Sequence, residues 1–134
     1  MTGQLGDGDD DEASERSPVA VLDLGEAGQE ALVVSCGFGH TCATTATGRV
    51  VCWGWNGSGA LGTGDSEGAI RHSPASVVGL SDANSALSVS AGGLSACAPH
   101  LWRGLVCWGN DNDGEVGDGN GPSIQYTPVR VQFP

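Results

Sequence analysis

Shifted against itself by 55 residues, the sequence brings Cys42 onto Cys97, Cys52 onto Cys107, Trp53 onto Trp108, Gly54 onto Gly109 and Gly59 onto Gly114. The register continues through Leu61/Val116, Gly62/Gly117 and Gly64/Gly119, and backward through Val34/Val89, Ser35/Ser90 and Gly37/Gly92. So many coincidences at one offset mean that one unit occurs twice, and units of this size fold by burying their apolar faces on their neighbours. The opening Gly3-Gln4-Leu5-Gly6-Asp7-Gly8 matches Gly59-Ala60-Leu61-Gly62-Thr63-Gly64 at a shift of 56, as Pro18-Val19-Ala20-Val21 matches Pro74-Ala75-Ser76-Val77. The repeat predicts three parts: residues 1–30, the end of a truncated preceding repeat with an acidic loop, and two full repeats at 31–85 and 86–134.

Glycine, at 23 of 134 residues, exceeds twice its average usage without an every-third-residue rule, so collagen is excluded. The glycines fall at matched turns between short runs that lack a 3.6-residue apolar period. Strands are expected near 31–36, 40–45, 49–54 and 74–80 in the first repeat and near 86–91, 95–100, 104–109 and 127–132 in the second. A ninth is expected near 18–22. Four short antiparallel strands per repeat imply an all-β propeller segment of two complete blades plus part of a third. Trp53 and Trp108, each at a strand end, are expected to pack between blades.

The segments GHTCATTATGRVVCWGWNGSGALGTGD and SACAPHLWRGLVCWGNDNDGEVGDG resemble the repeats of the regulator of chromosome condensation and α-tubulin suppressor family. The pattern is Gly-Xaa-Xaa-His, a hairpin, Trp-Gly-Xaa-Asn, Gly-Gln-Leu-Gly-Xaa-Gly, then a Pro-Val strand. The resemblance implies a β-propeller, usually of seven blades. It makes His40, Trp53, Gly54, Gly59 and Gly62 of the first repeat, and Trp108, Gly109, Gly114 and Gly117 of the second, structural signature positions. His40 is thereby expected to pack and hydrogen-bond near the inner strands. The second repeat departs from the pattern: Ser95 stands where His is expected, Glu115-Val116 replaces Gln-Leu, and Pro99 enters the hairpin. The cysteine-bearing, Lys-free style also resembles bacterial members of the family.

Cys42 and Cys52 bracket a hairpin whose turn lies at Ala46-Thr47-Gly48, which puts them directly opposite each other. Opposed residues in a non-hydrogen-bonded antiparallel pair bring their Cβ atoms to about 4.5–5.5 Å, close to the ~3.5–4.5 Å that a disulfide uses. Cys97 and Cys107 repeat the spacing, so two disulfides within blades are predicted, with Cys36 left over. Disulfides favour an extracellular, periplasmic or cell-surface location over the cytoplasm. The rival is a zinc site of Cys36, His40, Cys42 and Cys52, which lacks the tight Cys-Xaa2–4-Cys clip and has no counterpart in the second repeat.

The formal net charge is −11, with five Arg and no Lys. Counterion release from a phosphate backbone needs clustered cations, so direct nucleic-acid binding is not expected. Nine acids against Arg16 in residues 1–30 read as a solvated loop. Apolar runs reach only about four residues, well short of the roughly 20 that span a bilayer, so no membrane insertion is expected. Asp7, Asp9 and Asp11, and again Asp111, Asp113 and Glu115, alternate like the first ligands of an EF-hand. The sixth and twelfth positions of that motif are wrong in both runs. Gly57-Ser58-Gly59-Ala60-Leu61-Gly62 satisfies a dinucleotide fingerprint, but the helix-breaking run after it removes the helix N-terminus that would bind pyrophosphate. No catalytic residues and no cofactor are assigned, and His72 and His100 are expected to be solvated.

The expected function is that of a non-enzymatic protein–protein interaction module acting through its loops. Candidate contacts are Asp65 to Ser73, Asn120 to Thr127 and the acidic Asp7 to Ser17. The resemblance adds two alternatives: guanine-nucleotide exchange on a small GTPase, and inhibition of a secreted enzyme such as a β-lactamase. A metal-dependent enzyme is the remaining one. Two blades and a fragment bury little core, so the remaining blades of a longer propeller, or self-association, are expected to complete the fold.

Overall fold

A computed structural model of the chain describes residues 3–10, 14–65 and 68–134. Eight strands form two four-stranded antiparallel sheets in simple up-and-down order. The first contains β1 (Ala31–Cys36), β2 (His40–Thr45), β3 (Val50–Trp55) and β4 (Ile70–Ser76). The second contains β5 (Ser90–Ala91), β6 (Ser95–His100), β7 (Gly104–Asn110) and β8 (Ile124–Arg130). These are two propeller blades, and they stack face to face. Their joint core comprises Cys42, Val50, Cys52, Leu61, Val77, Leu80, Ala86, Val89, Ala96, Ala98, Val106 and Trp108. A much smaller cluster of Ala43, Val51 and Trp53 lies on the other side of the first blade, capped by Val21 and Leu24.

The central hairpins follow the expected register, with Cys42 opposite Cys52 and Cys97 opposite Cys107. The outer strands do not. β4 and β8 begin four and three residues earlier than expected and end two residues after their prolines, and each contains a bulge. Cys52 faces Ala75 while Gly54 faces Arg71, so His72, Ser73 and Pro74 oppose Trp53 alone. The same shift sets Tyr126, Thr127 and Pro128 opposite Trp108. A bulge on an edge strand is where a residue without an N–H fits at least cost.

β5 is only two residues long, with an isolated bridge from Ala86 to His100, where a six-residue strand was expected. Pro99 accounts for the loss. Cys97 and Cys107 have Cα atoms 4.1 Å apart, the close spacing of a non-hydrogen-bonded pair. Two residues on, Pro99 opposite Leu105 is in the same class, so its nitrogen faces β5 and has no proton to offer. The ninth strand near 18–22 is not formed: Pro18 to Val21 run without ladder pairing, and Leu22 N–H donates to the Gly6 carbonyl at 2.9 Å instead.

Candidate functional site

Each tryptophan at the end of a central strand is gripped by the glycine-rich turn of the preceding copy. The Trp53 indole N–H donates to the Gln4 carbonyl at 2.8 Å, and the Trp108 indole N–H to the Ala60 carbonyl at 2.9 Å. Gly6 and Gly62 lie flat against these rings, and an added Cβ would meet the indole at 2.6 Å and 2.9 Å respectively. Both glycines also have positive φ, 74° and 64°, which excludes other residues a second time. Buried Asn56 holds the turn between them: its Oδ1 accepts from Leu61 N–H at 3.1 Å, as Asp111 Oδ1 accepts from Val116 N–H at 2.9 Å. Asp111 is therefore a turn-holding residue in this chain, a role hidden in the sequence by its alternation with Asp113 and Glu115.

His40 is buried between the blades, where Gly37 alone leaves room for its ring beside the Gly92 carbonyl. Neither ring nitrogen meets strict hydrogen-bond geometry among the described residues, and the Ser95 backbone is the group that the ring approaches. Burial holds its pKa below the ordinary imidazole value, and the nearby Ser95 backbone opposes that shift in part. His72 and His100 are not simply solvated. His72 lies in β4 with Nδ1 2.9 Å from the Asp9 carbonyl. His100 Nδ1 accepts the Trp102 and Arg103 N–H groups at 3.0 and 3.1 Å and so closes a hairpin tip.

At that hairpin-tip end of the blades lies an apolar rim. Leu32 and Leu87 occupy equivalent positions of the two repeats and are 67% and 70% exposed. Between them runs a cleft of about 120 Å³, also lined by Thr44, Ala46, Ala86 and exposed Leu101. Trp102, 87% exposed, follows the lining residue Leu101 at the tip of the β6–β7 hairpin. The rim is at the opposite end of β3 from the glycine-rich loops that the sequence nominated. Its only sequence signal was the coincidence of Leu32 and Leu87 in the 55-residue register.

The regulator of chromosome condensation (RCC1) repeat model matches residues 47–98, and a second model of the same description matches residues 33–60. The chain belongs to the RCC1-type repeat family. It is 33% identical over 132 residues to the mitochondrial RCC1 domain-containing protein RUG3 of Arabidopsis thaliana, covering 97% of this chain and 28% of that protein. To the ultraviolet-B receptor UVR8 of the same plant it is 35% identical over 108 residues, covering 80% and 23%. The chain thus spans about a quarter of the length of these relatives. Among solved structures, Prp20p of Saccharomyces cerevisiae superposes with a TM-score of 0.74 at 24% identity, over 98% of this chain and 32% of that one.

Within this RCC1-type pair of blades the remaining signature glycines sit where backbone approaches closely. Gly54 and Gly109 pass under the Gly39 and Leu94 carbonyls, and Gly59 rests on the Gln125 carbonyl. Gly114 and Gly117 hold the corresponding turn of the second blade, where a Cβ at Gly114 would meet nothing within 4 Å. The sulfurs of Cys42 and Cys52, and of Cys97 and Cys107, stand at disulfide distance, and the Cys36 thiol is exposed. Among the described residues no three His, Cys, Asp or Glu side chains converge as metal ligands.

Two of the nominated loops, Asp65 to Ser73 and Asn120 to Thr127, carry local side-chain bonds. Thr63 and Arg71 both bond Asp65 Oδ2, and Arg71 foremost holds that carboxyl below its usual range. Asp118 is held low by Asn120, whose side chain and backbone N–H both donate to it. Glu115 is held low by backbone N–H groups, its own and that of Asp113, and by Asn110. Residues 11–13 of the acidic loop, including Asp11, and residues 66 and 67 lie outside the described residues.

Proposed function

We propose that this chain is a non-catalytic protein-interaction module and that the rim of Leu32, Leu87, Leu101 and Trp102 is its docking surface. The observation that carries the reading is the exposure of large apolar side chains at equivalent positions of two blades, flanking one cleft. Contiguous apolar surface of this kind marks interaction sites. Exposed Trp102, next in the chain to the lining residue Leu101, is of the side-chain type that dominates binding energy. The charge around the rim defines the partner. Exposed Glu30 and Asp82 each stand two residues along the chain from a lining residue of the cleft, Leu32 and Asn84. The nearest cations are turned elsewhere, Arg49 to Gln29 and Ser76, and Arg103 toward Gly79. A segment with apolar side chains flanked by Lys or Arg complements this surface.

Anisotropy titration of labelled peptides pairing Leu or Phe with flanking Lys tests the reading. Binding should weaken about tenfold or more in Leu87→Asp and Trp102→Ala, in line with hot-spot losses above 1.4 kcal/mol. Equal affinity for an acidic peptide of the same apolar content would refute it. Under this proposal the module works in an extracellular, periplasmic or cell-surface setting, a reading supported by the two cysteine pairs at disulfide distance. Nucleotide exchange is carried by the family resemblance alone, and accelerated nucleotide release from a small GTPase would reverse the ordering.

A further inference from the structure

The cleft between Leu32 and Leu87 lies across the seam of the two blades, and backbone bonds frame it. Ala86 N–H donates to the Gly48 carbonyl at 2.9 Å, Leu101 N–H to the Ser85 carbonyl at 3.1 Å, and Asn84 N–H to the Thr47 carbonyl. The segment between the blades comes this close because Gly48 has φ 84° and no Cβ; an added one would meet Asn84 Cα at 2.8 Å. Thr44 lies two residues beyond Cys42 on β2, so its side chain enters the seam on the face that carries the joint core. It is 1% exposed and lines the cleft, and its hydroxyl finds no hydrogen-bond partner among the described residues. The hydroxyl of neighbouring Thr45, by contrast, is within 3.1 Å of Thr47 Oγ1 and accepts from Arg49 N–H at 3.3 Å. A buried hydroxyl without a partner is costly, and most buried polar groups have one. In the 55-residue register Thr44 falls on Pro99, so this hydroxyl serves no position common to the two blades.

We propose that this cleft is an anchor pocket for a tyrosine of the partner segment, its ring against Leu32, Ala86, Leu87 and Leu101 and its phenol hydroxyl on Thr44 Oγ1. The inference rests on the rim being the docking surface and names the side chain that the surface selects. Size limits the occupant to one side chain. An apolar cavity of about 150 Å³ admits a benzene ring, and this one, of about 120 Å³, is bordered at its mouth by exposed leucines. Chemistry then chooses among side chains of that size. Leucine or phenylalanine would seal the Thr44 hydroxyl from water without giving it a partner, and a lysine tip would carry a charge into apolar walls. Tyrosine brings an O–H that both donates and accepts, as the threonine hydroxyl does, so one hydrogen bond satisfies both groups. An apolar ring with one polar end is also what a pocket with leucine walls and a single buried hydroxyl complements.

Anisotropy titration of the full chain with Lys-flanked peptides that differ only in a central Tyr, Phe or Leu tests this. The Tyr peptide should bind about tenfold more tightly than the Phe peptide, the size of one hydrogen bond made rather than left unmade. Thr44→Val keeps the branched shape and removes the hydroxyl, so it should erase the preference by weakening Tyr and strengthening Phe. Thr44→Ser, which keeps the hydroxyl, should retain it. A purely structural role for Thr44 would weaken all three peptides alike and overturn the proposal, as would a Tyr preference that survives Thr44→Val. Equal affinity for Tyr and Phe in the wild type, with both lost in Leu87→Asp, would overturn the tyrosine anchor and leave the docking surface standing. Absence of binding by all three peptides would overturn both. Should Thr44→Val fail to fold, the wild-type ratio of Tyr to Phe affinity decides alone.

Discussion

Trp53 and Trp108 make the same hydrogen bond to the same kind of turn, yet they sit in different seams. Trp108 belongs to a core of twelve buried residues drawn from both blades, whereas Trp53 shares its cluster with two others and half-buried Val21 and Leu24. The glycine–indole grip is a positioning device common to both. The difference in strength comes from how much apolar surface surrounds the grip, because burial supplies the energy at roughly 25 cal/mol per Å². One seam therefore holds the molecule together and the other covers it.

The sharpest test of that contrast is truncation of each ring. Trp108→Ala should cost toward the upper end of about 3–5 kcal/mol and Trp53→Ala toward the lower end or less. Equal losses in urea denaturation would show the seams to be equivalent. Reduction of the cystines follows in size. Each closes a loop of sequence separation 10, for which chain entropy gives about 2–3 kcal/mol. Cys42 and Cys52 are wholly buried, while Cys97 is half-buried in the second blade. Under graded reductant the Cys97–Cys107 pair should be alkylated first. Four thiols alkylated in unreduced native protein would remove both bonds from the account.

The smallest effect distinguishes the blades by pH. The first blade has His40 at the position where the second has Ser95. Because burial lowers the His40 pKa, the unfolded chain takes up a proton at the ordinary imidazole value, near 6.5, before the folded chain does. Stability should be flat above that pH, fall as pH drops below it, and level off beneath the depressed folded value. One proton limits the slope to about 1.4 kcal/mol per pH unit. The lowered carboxyls Asp65, Glu115 and Asp118 act in a more acidic window, so His40→Gln should abolish the slope just below neutrality. An unchanged slope would assign it elsewhere.

The blade count, the central hairpins and the opposition of the cysteines were legible in the sequence because each is fixed by a period: 55 between repeats, and two within a strand. What a period does not encode was not legible. The bulge that moves β4 and β8 is set by how the residues before Pro74 and Pro128 wrap a tryptophan, which is a tertiary matter. The shortening of β5 depends on which way the Pro99 nitrogen faces. The indole N–H groups reach carbonyls 49 and 48 residues away in the preceding copy, so the glycines beside those carbonyls were readable as punctuation but not as the floor of a socket. The apolar rim comes from three separate segments that meet at the hairpin tips, while the loops that stood out in the sequence are satisfied by their own local hydrogen bonds.

The prolines in β4 and β8 have a consequence for how such molecules meet in a crowded solution. β4 and β8 are the outer edges of their sheets, where an unpaired row of N–H and C=O groups would recruit strands from any passing chain. Pro74 and Pro128 remove a donor from that row, and the bulge around each twists the remaining groups out of line. The opposite edge of the second sheet is only two residues long. Sideways growth into an amyloid-like ribbon is thereby hindered at the β4, β5 and β8 edges, while face-to-face stacking of blades stays open: the fold gives association a direction.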